Sequence, residues 1–224
     1  MKKSNYVAFD FDGVIINSEI HCYSWWASLF DKHGLCIHRQ YFATLIGTDY
    51  EQVLIDQINR VSYRAPSHWE LLKTARRSSI RSHICLESTS HILAQLFSSL
   101  EYHGCEFCIV SSSTEEWITE WLKLHRIEKY FPAKKIHCRK NGHDAKFSKK
   151  SAYQKFACQA FPNKPYCVED SEHGIKSVSE DSFQLIVLKN ILLDQKRIKD
   201  MRFQTVTSIE EVLKLLNLHQ KIAE

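Results

Sequence analysis

The chain has 224 residues, about one and a half times an ordinary domain, with 44% hydrophobic and 25% charged residues. That length and composition exclude disorder as the main state and remove any need for disulfide or metal staples. A formal net charge of +4, from 30 Lys+Arg against 26 Asp+Glu, is too weak to point to nucleic acid, and apolar runs such as Tyr6–Phe9 and Leu185–Leu188 fall far short of the ~20 residues a membrane-spanning helix needs.

Taken in chain order, strand-like runs fall at Tyr6–Phe9, Glu106–Val110, Lys135–Cys138, Tyr166–Val168 and Phe183–Leu188, with helical periodicity between them. Met1-Lys2-Lys3 resembles the opening of an export signal, but Asp10 interrupts at once, so a cytoplasmic protein is expected. Gly34 and Gly104 stand where helices would end. Trp117, Ile118, Trp121 and Leu122 form one apolar face over Glu115–Leu124, and Ser208 before Glu210 and Glu211 reads as the capped start of a last helix. Strands alternating with helices predict an α/β fold, a Rossmann-like doubly wound parallel sheet. About ninety mostly helical residues separate the first two strands, far more than one crossover needs. The excess predicts an inserted α-helical cap over 18–88, with a core formed by 1–17 and 89–224.

Eight cysteines form no framework. Cys105 and Cys108 make a single CxxC in an apolar segment, where reduced, buried thiols are expected rather than zinc or redox chemistry. Cys138 with His137 and His143 is a looser cluster still.

Ligands of open α/β sheets bind outside the carboxyl ends of the strands. After the first strand comes Asp10-Phe11-Asp12-Gly13-Val14, two carboxylates at i and i+2 with a glycine that permits a sharp exit, although Asp-Gly also makes ordinary turns. After the second comes Ser111-Ser112-Ser113-Thr114 before a helix, a candidate anion site or a plain N-cap. After the fourth comes Val168-Glu169-Asp170-Ser171-Glu172-His173-Gly174, whose adjacent carboxylates suit a hard cation such as Mg²⁺.

This pattern resembles the haloacid dehalogenase superfamily. Asp10–Val14 with Asn17-Ser18-Glu19 looks like its first motif, Ile109-Val110-Ser111 its second, and Glu169-Asp170-Ser171 with Gly174 its fourth. Leu45-Ile46-Gly47-Thr48 fits a glycine-containing cap segment of the same group. The third motif is a lysine before the fourth strand; Lys146, Lys149 and Lys150 are candidates, and the spacing to Asp170 favours Lys149 or Lys146, of which Lys149 is chosen. The departures are Asn17 for Asp, Asp181-Ser182 for Ala-Gly, and Leu86-Glu87-Ser88 for a frequent Pro-Gly.

The resemblance implies a Mg²⁺-dependent phosphatase acting on a small phosphorylated metabolite, with an aspartyl-phosphate intermediate. Asp10 would be the nucleophile and Asp12 the general acid and base. Ser111, Ser112 and Lys149 would hold the phosphoryl oxygens. Asp10, the Asp12 backbone carbonyl, Asp170 and Glu169 would hold the metal. A sugar phosphomutase of the β-phosphoglucomutase type and an idle scaffold binding a partner through the cap are the rivals; a dehalogenase would leave Asp12 without a role. A monomer or weak dimer is expected, without nucleic acid or membrane.

Three groups carry two readings each. Residues 60–83 hold Arg60, Arg64, Lys73, Arg76, Arg77 and Arg81 against Glu70 alone, which reads as a solvated basic helix face or as a cap surface that attracts an anion. His173 reads as solvent-facing or as a second acid/base. Trp25 and Trp26 read as cap core ahead of a stacking platform.

Overall fold

A computed structural model describes residues 6–48, 50–61, 69–84, 90–140, 147–190, 192–193, 198 and 200–216, excluding the side chains of 70 and 71. Strands β1 (Tyr6–Phe9), β2 (Glu106–Thr114), β3 (Ile136–Arg139), β4 (Tyr166–Glu169), β5 (Gln184–Leu188) and β6 (Phe203–Val206) form one sheet. Their order is β3-β2-β1-β4-β5-β6, and every neighbouring pair is parallel. The order reverses between β1 and β4, which makes that gap the switch point where such sheets bind ligands. Phe9 pairs with both Ile109 and Val168, so Asp10, Ser111 and Glu169-Asp170 leave the sheet at nearly one level.

Alternation along each strand explains why the sheet is covered on both sides. Val7, Phe9, Phe107, Ile109, Val168 and Ile186 enter one apolar cluster; Ala8, Cys108, Val110, Cys167, Leu185 and Val187 enter the other. Successive side chains point to opposite faces, so a strand apolar at every position must be buried twice. Helices α5 (Ser90–Tyr102), α6 (Glu115–Leu124) and α9 (Ile209–Leu215) pack into the first cluster, and α7 (Lys149–Ala160) and α8 (Glu172–Ser177) into the second. The CxxC thiols are both buried, as the apolar reading requires.

Between β1 and α5 the described residues form four helices, α1 (Glu19–Lys32), α2 (Arg39–Leu45), α3 (Tyr50–Val61) and α4 (Trp69–Ile84). Trp26, Leu54, Ile58 and Ile80 give them an apolar interior, and Trp25 packs on it. The helical insertion and the Trp25–Trp26 packing thus match expectation.

Two elements differ from it. β2 runs four residues past Val110, to Thr114, because Ser111–Thr114 stay extended while their side chains turn polar. β6 gives no apolar signal: it is an edge strand, and only Val206 in it is buried.

Candidate active site

The Asp10 N–H continues the ladder by donating to the Val168 carbonyl at 2.9 Å. The chain then turns sharply: Ile15 and Ile16 both donate to the Phe11 carbonyl, and Gly13 to that of Ile16. Gly13 has φ +81°, and a Cβ there would overlap the Asp170 carboxylate. Glycine is thus required twice over, for the turn and for the approach of β4's end.

Asp10 is buried. Its Oδ1 accepts the Phe11 N–H at 2.7 Å, and its Oδ2 lies 2.7 Å from Lys149 Nζ. The same ammonium lies 2.8 Å from Glu169 Oε1. Burial pushes the Asp10 carboxyl up to about 7, the Glu169 charge adds to this, and Lys149 pulls it back. Burial alone would lower Lys149, but Asp10 and Glu169 hold it above its ordinary value. Lys149 is the first residue of α7, whose N-terminus is capped by Ser148. Lys150 is exposed, and Lys146 lies outside the described residues.

Asp12 faces a different set of partners. Its Oδ1 accepts from Ser18 Oγ at 2.6 Å and Trp117 Nε1 at 3.1 Å, and its Oδ2 from Ser113 Oγ. Burial raises its carboxyl and the three donors moderate the rise. Glu19 lines the same cavity, is pushed up to about 8 by burial and then by Asp12 and Asp10, and feels Arg76 in the opposite sense.

Asp10, Glu169 and Asp170 each offer an oxygen within 4.8 Å of the others, and all three are buried. Tyr153 donates to Glu169 Oε1, while Asn190 Nδ2 donates to Asp170 Oδ2 at 2.8 Å. The Asn190 side-chain carbonyl accepts from Leu192 and Leu193, which orients its amide. Among the described residues Glu169 Oε2 and Asp170 Oδ1 are buried without a hydrogen-bond partner. Burial, then the charges of Asp10, Glu19 and Glu169, push Asp170 well up. A Cβ at Gly174 would overlap the Glu169 carboxylate, so that acid too is seated against bare backbone. One ammonium against three carboxylates, with two such partnerless oxygens, suits a hard divalent cation, and Mg²⁺ fits these residues. The Asp12 side chain takes no part in the cluster; the expectation reserved its backbone carbonyl.

Ser111 is buried and its Oγ accepts the Ser113 N–H at 3.0 Å, leaving its own O–H to donate. The helix cap falls to Thr114, which accepts from Trp117, so Ser111–Ser113 are not needed for it. The Ser112 carbonyl accepts from Arg139 Nε. These residues line a cavity of about 410 Å³ whose other wall is Ile46-Gly47-Thr48, Tyr50, Glu51 and α4.

The basic segment divides between its two readings. Arg76 is not on a solvated face: it is buried, ion-paired with Glu51, and within 3.3 Å of the Tyr50 hydroxyl. Lys73 and Arg77 line the cavity. Arg60 is exposed, as is Arg81, which pairs with Glu120 at 2.8 Å. Arg64 lies outside the described residues, as does His143 of the cysteine–histidine cluster. His173 is exposed, its ring against Gly47, and burial on that side followed by the Lys149 charge lowers it.

Trp117, Tyr153, Asn190 and Arg139 were missed as site residues. Asn190 follows β5 and Arg139 is the last residue of β3, so the strand-end rule applied to every strand finds them. Trp117 carries only an apolar-face signal, and Tyr153 none.

Fold and site together define an α/β protein of the enzyme type, with its buried acids and lysine gathered at a topological switch point. A family profile described as haloacid dehalogenase-like hydrolase matches residues 7–187, and the chain belongs to that family of hydrolases. No curated protein sequence matches it significantly. Similar solved structures include a conserved haloacid dehalogenase-like protein of unknown function from Agrobacterium tumefaciens, 18% identical over 96% of this chain and 98% of that one, TM-score 0.67. A β-phosphoglucomutase from Clostridium difficile is 16% identical over 97% and 96%, TM-score 0.63. A predicted phosphatase from Clostridium acetobutylicum is 16% identical over 96% and 98%, TM-score 0.61.

Proposed function

We propose that the chain is a Mg²⁺-dependent phosphatase that hydrolyses a small phosphate monoester, a sugar phosphate or similar metabolite, through an aspartyl-phosphate on Asp10. The observation that carries this reading is the buried group of Asp10, Lys149, Glu169 and Asp170 at adjacent strand ends, with its two orphaned oxygens. Asp10, Glu169, Asp170 and the Asp12 carbonyl would hold Mg²⁺, which would supply positive charge against the carboxylates and the phosphate.

Asp10 attacks phosphorus as the ester P–O bond breaks and its electron pair leaves on oxygen. Asp12 gives that oxygen its proton, then takes one from the water that attacks the phosphoryl group and regenerates Asp10. The burial that raises Asp12 supports its starting protonated. Ser111, Ser112 and Lys149 hold the phosphoryl oxygens, and residues 18–88 act as a cap that closes on the substrate. The protein acts as a cytoplasmic monomer or weak dimer, without nucleic acid or membrane; among the described residues no helix is long and apolar enough to cross one.

The test is phosphate release from an aryl phosphate, with Mg²⁺ and with a chelator. Release only with the metal is expected; equal rates overturn the metal assignment. The likeness to the β-phosphoglucomutase of Clostridium difficile keeps a second reading, a sugar phosphomutase. Transfer of phosphate between positions of one sugar, with little free phosphate, would identify it.

A further inference from the structure

Helix α4 presents two stripes at i, i+4 spacing. Arg76, Ile80 and Ile84 are buried in the cap, and Glu51 and Tyr50 fix Arg76 there. Lys73, Arg77 and Arg81 form the neighbouring stripe. Its far end is tied to the core, because Arg81 pairs with Glu120 of α6, the helix that follows Ser111–Thr114. Arg77, one turn back from Arg81, lines the cavity that holds Asp10.

The sheet contributes another guanidinium to that cavity. Arg139 ends β3, and its Nε donates to the Ser112 carbonyl, which fixes it at the cavity wall. The cavity's cations differ in how they are matched. Asp10 and Glu169 hold Lys149, and Glu51 holds Arg76. Among the described residues no carboxylate forms an ion pair with Arg77 or Arg139. About 410 Å³ is within the range of whole-ligand pockets, so the ester's remainder enters as well as its phosphate.

We propose that Arg77 and Arg139 form a second anion subsite, so that the substrate carries another negative group, a carboxylate or a second phosphate, on the part that is not transferred. The proposal rests on the phosphatase reading above. A guanidinium fork matches the paired oxygens of either group, which is why arginine rather than lysine suits both positions.

Matched esters test it: 3-phosphoglycerate against glycerol 3-phosphate, and fructose 1,6-bisphosphate against fructose 6-phosphate, assayed for phosphate release. In the wild type the member with the additional anionic group in at least one pair should show a KM about tenfold lower, the size of one charge-assisted contact. The pair that shows it tells carboxylate from phosphate. Arg77→Gln and Arg139→Gln should each collapse that ratio towards one, and Arg81→Gln, on the same stripe but paired with Glu120, should keep it. A second measurement needs no turnover: calorimetric binding of propane-1,3-bisphosphonate against propylphosphonate, with melting curves to confirm folding. Bisphosphonate preference that Arg77→Gln or Arg139→Gln removes, with no phosphate released from any ester, keeps the subsite and overturns the phosphatase reading. Phosphate release with equal KM values within both pairs overturns the subsite and keeps the phosphatase reading. Ratios that survive both substitutions also overturn the subsite.

Discussion

The indole N–H of Trp117 donates to the Asp12 carboxylate at 3.1 Å. A side chain on the apolar face of α6 thus also touches the proposed general acid, and it does so because α6 begins directly after the polar end of β2. Trp117, Ser18 and Ser113 reach Asp12 from three elements, which fixes the carboxylate with no ion-paired partner among the described residues.

Trp117→Phe keeps most of the ring's packing and removes one donor. That donor lowers the Asp12 carboxyl, so its loss raises it. The alkaline limb of the kcat–pH profile, where Asp12 must still hold its proton, is expected to move to higher pH. Asp12→Asn is expected to cost roughly 10²–10⁴-fold in kcat. Steady-state profiles check both; an alkaline limb that moves down with Trp117→Phe contradicts the assignment.

Asp10→Asn is expected to abolish turnover and leave the melting transition cooperative. The amide is nearly the same shape and far less nucleophilic, and it also removes one of three crowded carboxylates. Beryllium fluoride should form its adduct on Asp10 in the wild type and on no residue in the variant. Mass spectrometry or fluorine NMR reads this directly.

Gly174→Ala drives a methyl group into the Glu169 carboxylate, against a residue also held by Lys149 and Tyr153. A loss of about 1–3 kcal/mol in stability is expected, as for other overpacked sites. Mg²⁺ affinity should fall with it, since Glu169 loses its seat. Denaturant melts and a Mg²⁺ titration followed by activity measure the two effects; unchanged affinity would remove Glu169 from the metal site.

Metal-free protein should lose stability as pH rises from about 4 to about 7. Asp10 titrates near 7 in the fold against 3.8 without it, and Asp170 is raised in the same sense. The folded chain therefore holds protons in that window that the unfolded chain has released; the penalty is absent below the unfolded value and complete above the folded one. Mg²⁺ offsets the ionised carboxylates, so it should raise the melting temperature more at pH 8 than at pH 5, where it must displace protons. Thermal melts with Mg²⁺ and with chelator at both pH values decide it.

The sheet was legible because four of its strands are apolar at successive positions and buried on both faces. β6 was not, since an edge strand needs no such run. Glu169 and Asp170 stood out because adjacent acids after an apolar strand are costly without a cation. Asp10 and Asp12, which alone also read as an Asp-Gly turn, stood out because they follow a second strand of the same sheet. Lys149 was harder, one of three lysines in a short stretch whose helical phase does not separate them. The pairing of Arg76 with Glu51 was hidden altogether: 25 residues divide them, and charge composition gives no sign of a long-range ion pair. Trp117 looked like packing and Tyr153 gave no signal at all, since in each only the polar tip of the ring reaches an acid.

The strand order places β1 and β4 innermost, with β3 and β6 at the rims. The backbone amides of Val7–Phe9 and Cys167–Glu169 are released to solvent only when the whole sheet opens, whereas a rim strand can fray alone. Deuterium should therefore enter β6 long before it enters the strands that end in Asp10 and Glu169. Heat will silence the site by collapse of the entire core, and inactivation and loss of secondary structure will share one midpoint.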